Sequence, residues 1–130
     1  RRLATEFGCQ GLHIHHFDPF ETKSQKHFPE FAELRGDMVR LGIARSDDLV
    51  EPEDHIAVVC EMMHGLITGG LGGVPDLTTQ KNLYVTHMAP WVGQFFTDLE
   101  GAESAALYMP VGTIGRLFMA IEADAFELAA

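Results

Sequence analysis

Basic side chains are scarce, and almost absent from the second part of the chain. Of 130 residues, 9 are Lys or Arg against 19 Asp or Glu, for a formal net charge of −10. Residues 1–49 carry seven basic and eight acidic side chains. Residues 50–130 carry only Lys81 and Arg116 against eleven acids, a local balance of −9. A general DNA or RNA binder needs a basic face that displaces counterions, and this region has almost no basic residues to build one. An anionic membrane surface would repel it for the same reason. Its field attracts cations, either a metal ion or a basic peptide.

Other scarcities narrow the class further. No apolar run approaches the roughly 20 residues that span a bilayer, so membrane insertion is not expected. Only two cysteines are present, Cys9 and Cys60, with no CxxC, which fits a reduced, cytoplasmic setting. There is no repeat and no low-complexity tract. The chain opens Arg1-Arg2-Leu3 without a Met, but the residues that follow are too polar for an export signal. The expectation is that the sequence begins inside a longer protein. A 46% hydrophobic content at this length supports a globular core.

What is present is helical periodicity. Phe28, Phe31, Leu34, Met38 and Leu41 recur at spacings of three and four, one face of a helix that Gly42 is placed to end. A second helix is expected to start at Pro52, where a missing N–H costs nothing, with Glu53 and Asp54 in its first turn. Its apolar stripe is Ile56, Val59, Cys60, Met63 and Ile67, widened by Val58 and Met62. The glycines between Gly69 and Gly73 mark a flexible connection. A third helix runs from Asp76 or Thr78 to Met88, with Asp76, Thr78 and Thr79 as candidate caps. Pro90 interrupts it, and residues 91–99 form a short further helix. The last helix is expected over residues 102–128, kinked at Pro110, with Leu107, Val111, Ile114, Leu117, Phe118 and Ile121 on its buried side. No strand is evident, and residues 11–20 read as an irregular or extended segment. The fold class is all-α, a helical bundle of about five helices.

Several clusters offer chemistry. His13, His15 and His16, with Asp18 nearby, are imidazole and carboxylate ligands suited to Zn, Ni or Cu, although their spacing matches no zinc signature. At Glu51-Pro52-Glu53-Asp54-His55, Asp54 either orients and polarises His55 as an acid–imidazole pair, or the acids serve as dipole and cap residues beside a structural histidine. No serine sits in an elbow-like glycine context, so the pair has no evident nucleophile. His87 and Trp91 are four apart across Pro90 and are expected to meet at a corner. Pro19-Phe20-Glu21-Thr22 reads as a turn leading into a helix.

Taken in order, these motifs resemble the TorD/DmsD-type chaperones, which mature molybdenum-containing oxidoreductases in the cytoplasm. Pro19-Phe20-Glu21-Thr22 is similar to that family's P-aromatic-E-S turn, with Thr22 for the usual Ser and Phe20 where Tyr or Trp is common. Glu51-Pro52-Glu53-Asp54-His55 resembles its E-P-x-D-H signature. His87, Trp91 and Phe95 match H-(L/M)-x-x-W-x-x-x-F, and Tyr108 with the helix after it matches the closing segment. The likeness covers roughly residues 7–128. Family members are longer, and their N-terminal helices are expected to be missing here.

The resemblance implies a binding protein rather than an enzyme, with no bound cofactor. Its partners would be the twin-arginine signal peptide and the apo form of a molybdopterin oxidoreductase, held back from export until the cofactor is inserted. Glu51, Pro52, Glu53, Asp54 and His55 would form the peptide-binding hinge, with residues 1–50 closing the N-terminal helical part and residues 51–130 forming the C-terminal part. Pro19, Phe20, Glu21, His87, Trp91 and Tyr108 would support it. Some members form homodimers by exchanging helical halves. Two readings from other classes stand beside this one. One is a metal-binding helical protein using His13, His15 and His16. The other is a structural domain that dimerises through the helix at Ile56 to Ile67.

Overall fold

A computed structural model of the chain describes residues 12–13, 29–47, 49–73 and 76–129. Among these, five α-helices carry the architecture: α1 Pro29–Leu41, α2 Ile56–Thr68, α3 Leu77–His87, α4 Val92–Glu100 and α5 Met109–Leu128. The all-α expectation holds, with one small addition. β1, Leu12–His13, pairs antiparallel with β2, Ala44–Arg45, in the register Leu12 to Arg45 and His13 to Ala44. A ladder two residues long has no alternation for a sequence pattern to reveal. The chain divides into two compact units, Arg1–Gln80 and Lys81–Ala130.

In the first unit, α1 ends as its sequence dictates. Gly42 takes φ +69°, its N–H donates to the Val39 carbonyl, and the Ile43 N–H donates back to Met38. This pair of bonds is a Schellman motif. It satisfies carbonyls the helix end would otherwise orphan, and it buries Ile43 beyond the turn. Leu34 and Met38 are buried on α1, as their spacing implied; Phe28 lies outside the described residues. α2 starts at Ile56, four residues later than expected, because Pro52, Glu53 and Asp54 form a turn rather than a first helical turn. Its buried residues are Val58, Val59, Met62 and Gly65, so the residues expected to widen the stripe lie at its centre, and Ile67 is exposed.

The start of α3 follows its capping chemistry. Asp76, just before α3, accepts from the Thr78 and Thr79 N–H groups and from the Thr79 hydroxyl. Its carboxyl is held below the ordinary 3.8, chiefly by the Thr79 hydroxyl. Pro90 separates α3 from α4. Pro110, expected as a kink, instead sits in the first turn of α5, where its absent N–H has no partner to lose. The segment before α5 is a 3₁₀ turn, Glu103–Ala105.

The buried side of α5 also differs from expectation. Gly112, Met119 and Phe126 are buried, whereas Val111, Ile114, Leu117, Phe118, Ile121 and Leu107 are exposed. The buried stripe lies one residue on, about 100° round the helix. Glycine explains the choice. A Cβ on Gly112 would collide with the backbone of Leu99 and Glu100, and one on Gly115 with the Phe96 ring. α5 therefore meets α4 backbone-close along its small residues, a packing that its larger aliphatics could not allow. Glu100 fixes the same contact from the side, accepting from the Arg116 guanidinium at 2.6 Å and 3.2 Å and from the Thr113 hydroxyl at 2.9 Å. These bonds hold the Glu100 carboxyl below its ordinary 4.5, the Arg116 bond most of all.

Candidate functional site

The turn between β2 and α2 carries the most distinctive motif, and its five residues separate into two roles. Glu51, Pro52, Asp54 and His55 are exposed. Glu53 is 3% exposed. Its Oε1 accepts from Nε and Nη2 of Arg35 on α1, at 3.0 Å and 2.8 Å. Arg45 of β2 approaches the other oxygen at 3.7 Å, and that Oε2 has no hydrogen-bond partner. Arg35 is itself steadied by the Phe31 ring, 4.5 Å below the guanidinium carbon. Arg45 donates onward to the Leu49 carbonyl at 2.6 Å. One buried carboxylate thus ties α1, β2 and the turn together. Charge-assisted bonds of this kind are strong, and a buried acid needs them.

His55 caps α2. Its backbone is extended, φ −63° and ψ 139°, and its Nδ1 accepts from the Ala57 N–H at 3.2 Å. The bond uses the lone pair of Nδ1 as its acceptor. Asp54 is left exposed beside it, and Glu51 stands exposed at the start of the turn. The turn therefore presents two carboxylates to solvent while the third is engaged internally. Sequence reasoning placed Glu53 with Asp54 in the peptide-binding hinge and missed Arg35 and Arg45. Arg35 lies 18 residues before Glu53, and no local spacing signals a pair made by a chain reversal.

The other predicted residues fall elsewhere. His87 and Trp91 do meet at a corner: the Trp91 indole N–H donates to the His87 carbonyl at 2.7 Å, and His87 is buried. The Trp91 ring meets Phe95 edge-on at 5.9 Å, and Phe95 meets Phe96 at 5.1 Å. This motif builds the α3–α4 corner, so its histidine and aromatics are packing residues. Tyr108 is the exposed residue at the start of α5 and offers no side-chain cap. His15, His16, Pro19, Phe20 and Glu21 lie outside the described residues, and of His13 only the strand pairing is described. Among the described residues no group of three His, Cys, Asp or Glu could hold a metal ion. Nor is any helix among them long and apolar enough to cross a membrane. Cys60 is a free thiol whose pKa is pushed up by burial, which disfavours the reactive thiolate.

The family model described as "Nitrate reductase delta subunit" matches residues 19–97. The chain belongs to this family. The nitrate reductase delta subunit family consists of molybdoenzyme maturation chaperones and agrees with the TorD/DmsD-type resemblance. The matched span contains both the Glu51–His55 turn and the His87–Trp91 corner, whereas Tyr108 lies beyond it. No curated protein and no solved structure matches the chain.

Proposed function

We propose that this chain binds the twin-arginine signal peptide, and with it the apo form, of a molybdopterin-dependent oxidoreductase in the cytoplasm, and that it acts by binding without catalysis. Asp54 and Glu51 receive the arginines, because exposed carboxylates can take a guanidinium through two parallel bonds. Glu53 is a positioning residue: its bonds to Arg35 and the approach of Arg45 hold the turn so that Asp54 stays outward. His55 fixes the direction in which α2 leaves the turn. The observation that carries this reading is the split within one turn of a maturation-family protein, with one acid buried on internal arginines and two left exposed.

The acidity of residues 50–130 supports the same reading, since a leader with a basic start is drawn to it. The test is calorimetric titration of the full chain with a synthetic twin-arginine leader peptide. Asp54→Ala should weaken binding roughly tenfold, the worth of one charge-assisted contact. A twin-lysine peptide should bind less well, because lysine cannot make the paired bonds. Equal affinity of Asp54→Ala and the parent chain would remove the turn from the binding site.

A further inference from the structure

α5 leaves its larger apolar residues uncovered. Val111, Ile114, Phe118, Ile121, Ala125 and Leu128 follow one another at spacings of three, four, three, four and three. That is the a/d order of a coiled-coil strand over almost three heptads. All six are exposed, Ile114 at 67%, Ile121 at 64% and Phe118 at 53%. The helix buries another stripe, through Gly112, Met119 and Phe126, so this seam is surplus to the packing of its own unit. Contiguous exposed apolar surface of this kind marks an interaction site.

The order of side chains along the seam says what covers it, because the seam matches itself when turned end for end. Antiparallel strands set a against d. Val111 then meets Leu128 of a second copy, Ile114 meets Ala125, and Phe118 meets Ile121, each pair occurring twice by symmetry. Every layer holds at least one large side chain, and the smallest residue, Ala125, falls opposite Ile114. The flanks agree. The e and g positions beside the seam are Gly115, Leu117, Glu122 and Asp124. In this register Glu122 comes across from Gly115 and Asp124 from Leu117, so no acid meets an acid.

The charge along α5 favours the same direction. The helix has no acid in its first turn and no base in its last, and Tyr108 at its start makes no side-chain cap bond. Glu122, Asp124 and Glu127 stand toward the end where the helix dipole is negative, the unfavourable end for a helix alone. An antiparallel copy lays that acidic end alongside the positive start of its neighbour. A parallel copy would gather both acidic ends together. The five large seam residues with Leu117 offer on the order of 600 Å² per copy, below the roughly 800 Å² of a standard interface and in the range of weak, reversible association.

We infer that α5 is a self-association face: two copies of this chain pair α5 against α5, antiparallel, about a two-fold axis between Phe118 and Ile121. This pairing differs from an exchange of helical halves, since each copy keeps its own helices. It is also independent of the leader recognition proposed above.

Sedimentation velocity of the full chain over a concentration series should show a rapidly reversible monomer–dimer equilibrium, with a midpoint on the order of 10 μM. Ile114→Ser and Phe118→Ser should each raise that midpoint at least tenfold, as anchors at the centre of an interface do. Val39→Ser, at an exposed apolar site on α1, should leave it unchanged. The substituted residues are exposed, so thermal melts of dilute samples should match the parent, which separates lost pairing from lost fold. For the register, chains carrying Ile114→Cys are mixed with chains carrying Ala125→Cys, oxidised, digested and read by mass spectrometry. A disulfide joining positions 114 and 125 is expected, while two 114 positions stand roughly 16 Å apart along the axis and should not join.

A chain that stays monomeric at millimolar concentration overturns the inference. So does a dimer indifferent to both Ser variants, the behaviour of exchanged halves or of another face. A disulfide between two 114 positions in place of the 114-to-125 link overturns the antiparallel pairing. A monomer that instead binds a Leu-rich helical peptide through Ile114 assigns the seam to a different partner and also overturns it.

Discussion

At Glu53 a carboxylate that looks available in the sequence is bonded to Arg35, approached by Arg45 and closed to solvent. Its neighbour Asp54 is exposed. The two should therefore respond oppositely to substitution. Glu53→Gln leaves both guanidinium groups without their counter-charge. It should lower unfolding stability by about 1–3 kcal/mol, less than a fully buried pair would lose because both arginines are partly exposed. Asp54→Ala should stay within about 0.5 kcal/mol of the parent, as exposed substitutions do, and register only in peptide binding. Urea denaturation of the two variants checks both. A stability loss at Asp54 matching that at Glu53 would mean the roles have been assigned the wrong way round. The glycines of α5 give a second residue-scale expectation. Gly112→Ala sets a methyl against the Leu99–Glu100 backbone, which cannot swing aside, whereas Gly115→Ala meets the Phe96 side chain. Both should destabilise by about 1–3 kcal/mol, Gly112→Ala the more.

Among the helices, the decisive contact of the second unit is Glu100 with Arg116 and Thr113. Glu100 in the folded chain titrates below its ordinary 4.5, and Asp76 below 3.8. A carboxyl with a depressed folded pKa adds stability above its unfolded pKa and loses it as pH falls through the folded value. Stability should therefore be flat near neutrality and fall below about pH 4. Glu100→Gln should be less stable at pH 7 and show a shallower acid fall in thermal melts taken across that range. Pro110→Ala should change stability by less than about 0.5 kcal/mol, since the ring stands in a first turn and not in a helix interior.

The same elements show what was legible. Gly42, Asp76 and Pro90 are local signals with local causes, and the ends of α1, α3 and α4 follow them closely. Pro52 is an equally good helix-start signal, but Glu53 is drawn inward by Arg35, and the helix waits for the His55 cap. The buried face of α5 was misread because hydrophobicity favours its large residues, while close approach to α4 favours its glycines. Periodicity alone does not decide between two apolar stripes one residue apart. The exposed acids of the turn were legible as a motif. The arginines that engage its third acid were not, since their pairing depends on chain reversal rather than on spacing.

For the whole molecule, the charge asymmetry now joins the structural observations. The stretch with a balance of −9 opens at the Glu51–His55 turn and runs along the sequence through α5. Membership in a molybdoenzyme maturation family supplies the partner class, and exposed acids are the complement of a leader with a basic start. The most direct measurement is affinity capture with the full chain from host lysate, with mass spectrometry of the bound proteins, in parallel for the parent and Asp54→Ala. The account predicts that the precursor of a molybdopterin oxidoreductase, with its twin-arginine leader still attached, is enriched by the parent and depleted with Asp54→Ala. Absence of any molybdopterin enzyme from the parent capture, or its equal recovery with Asp54→Ala, would contradict it.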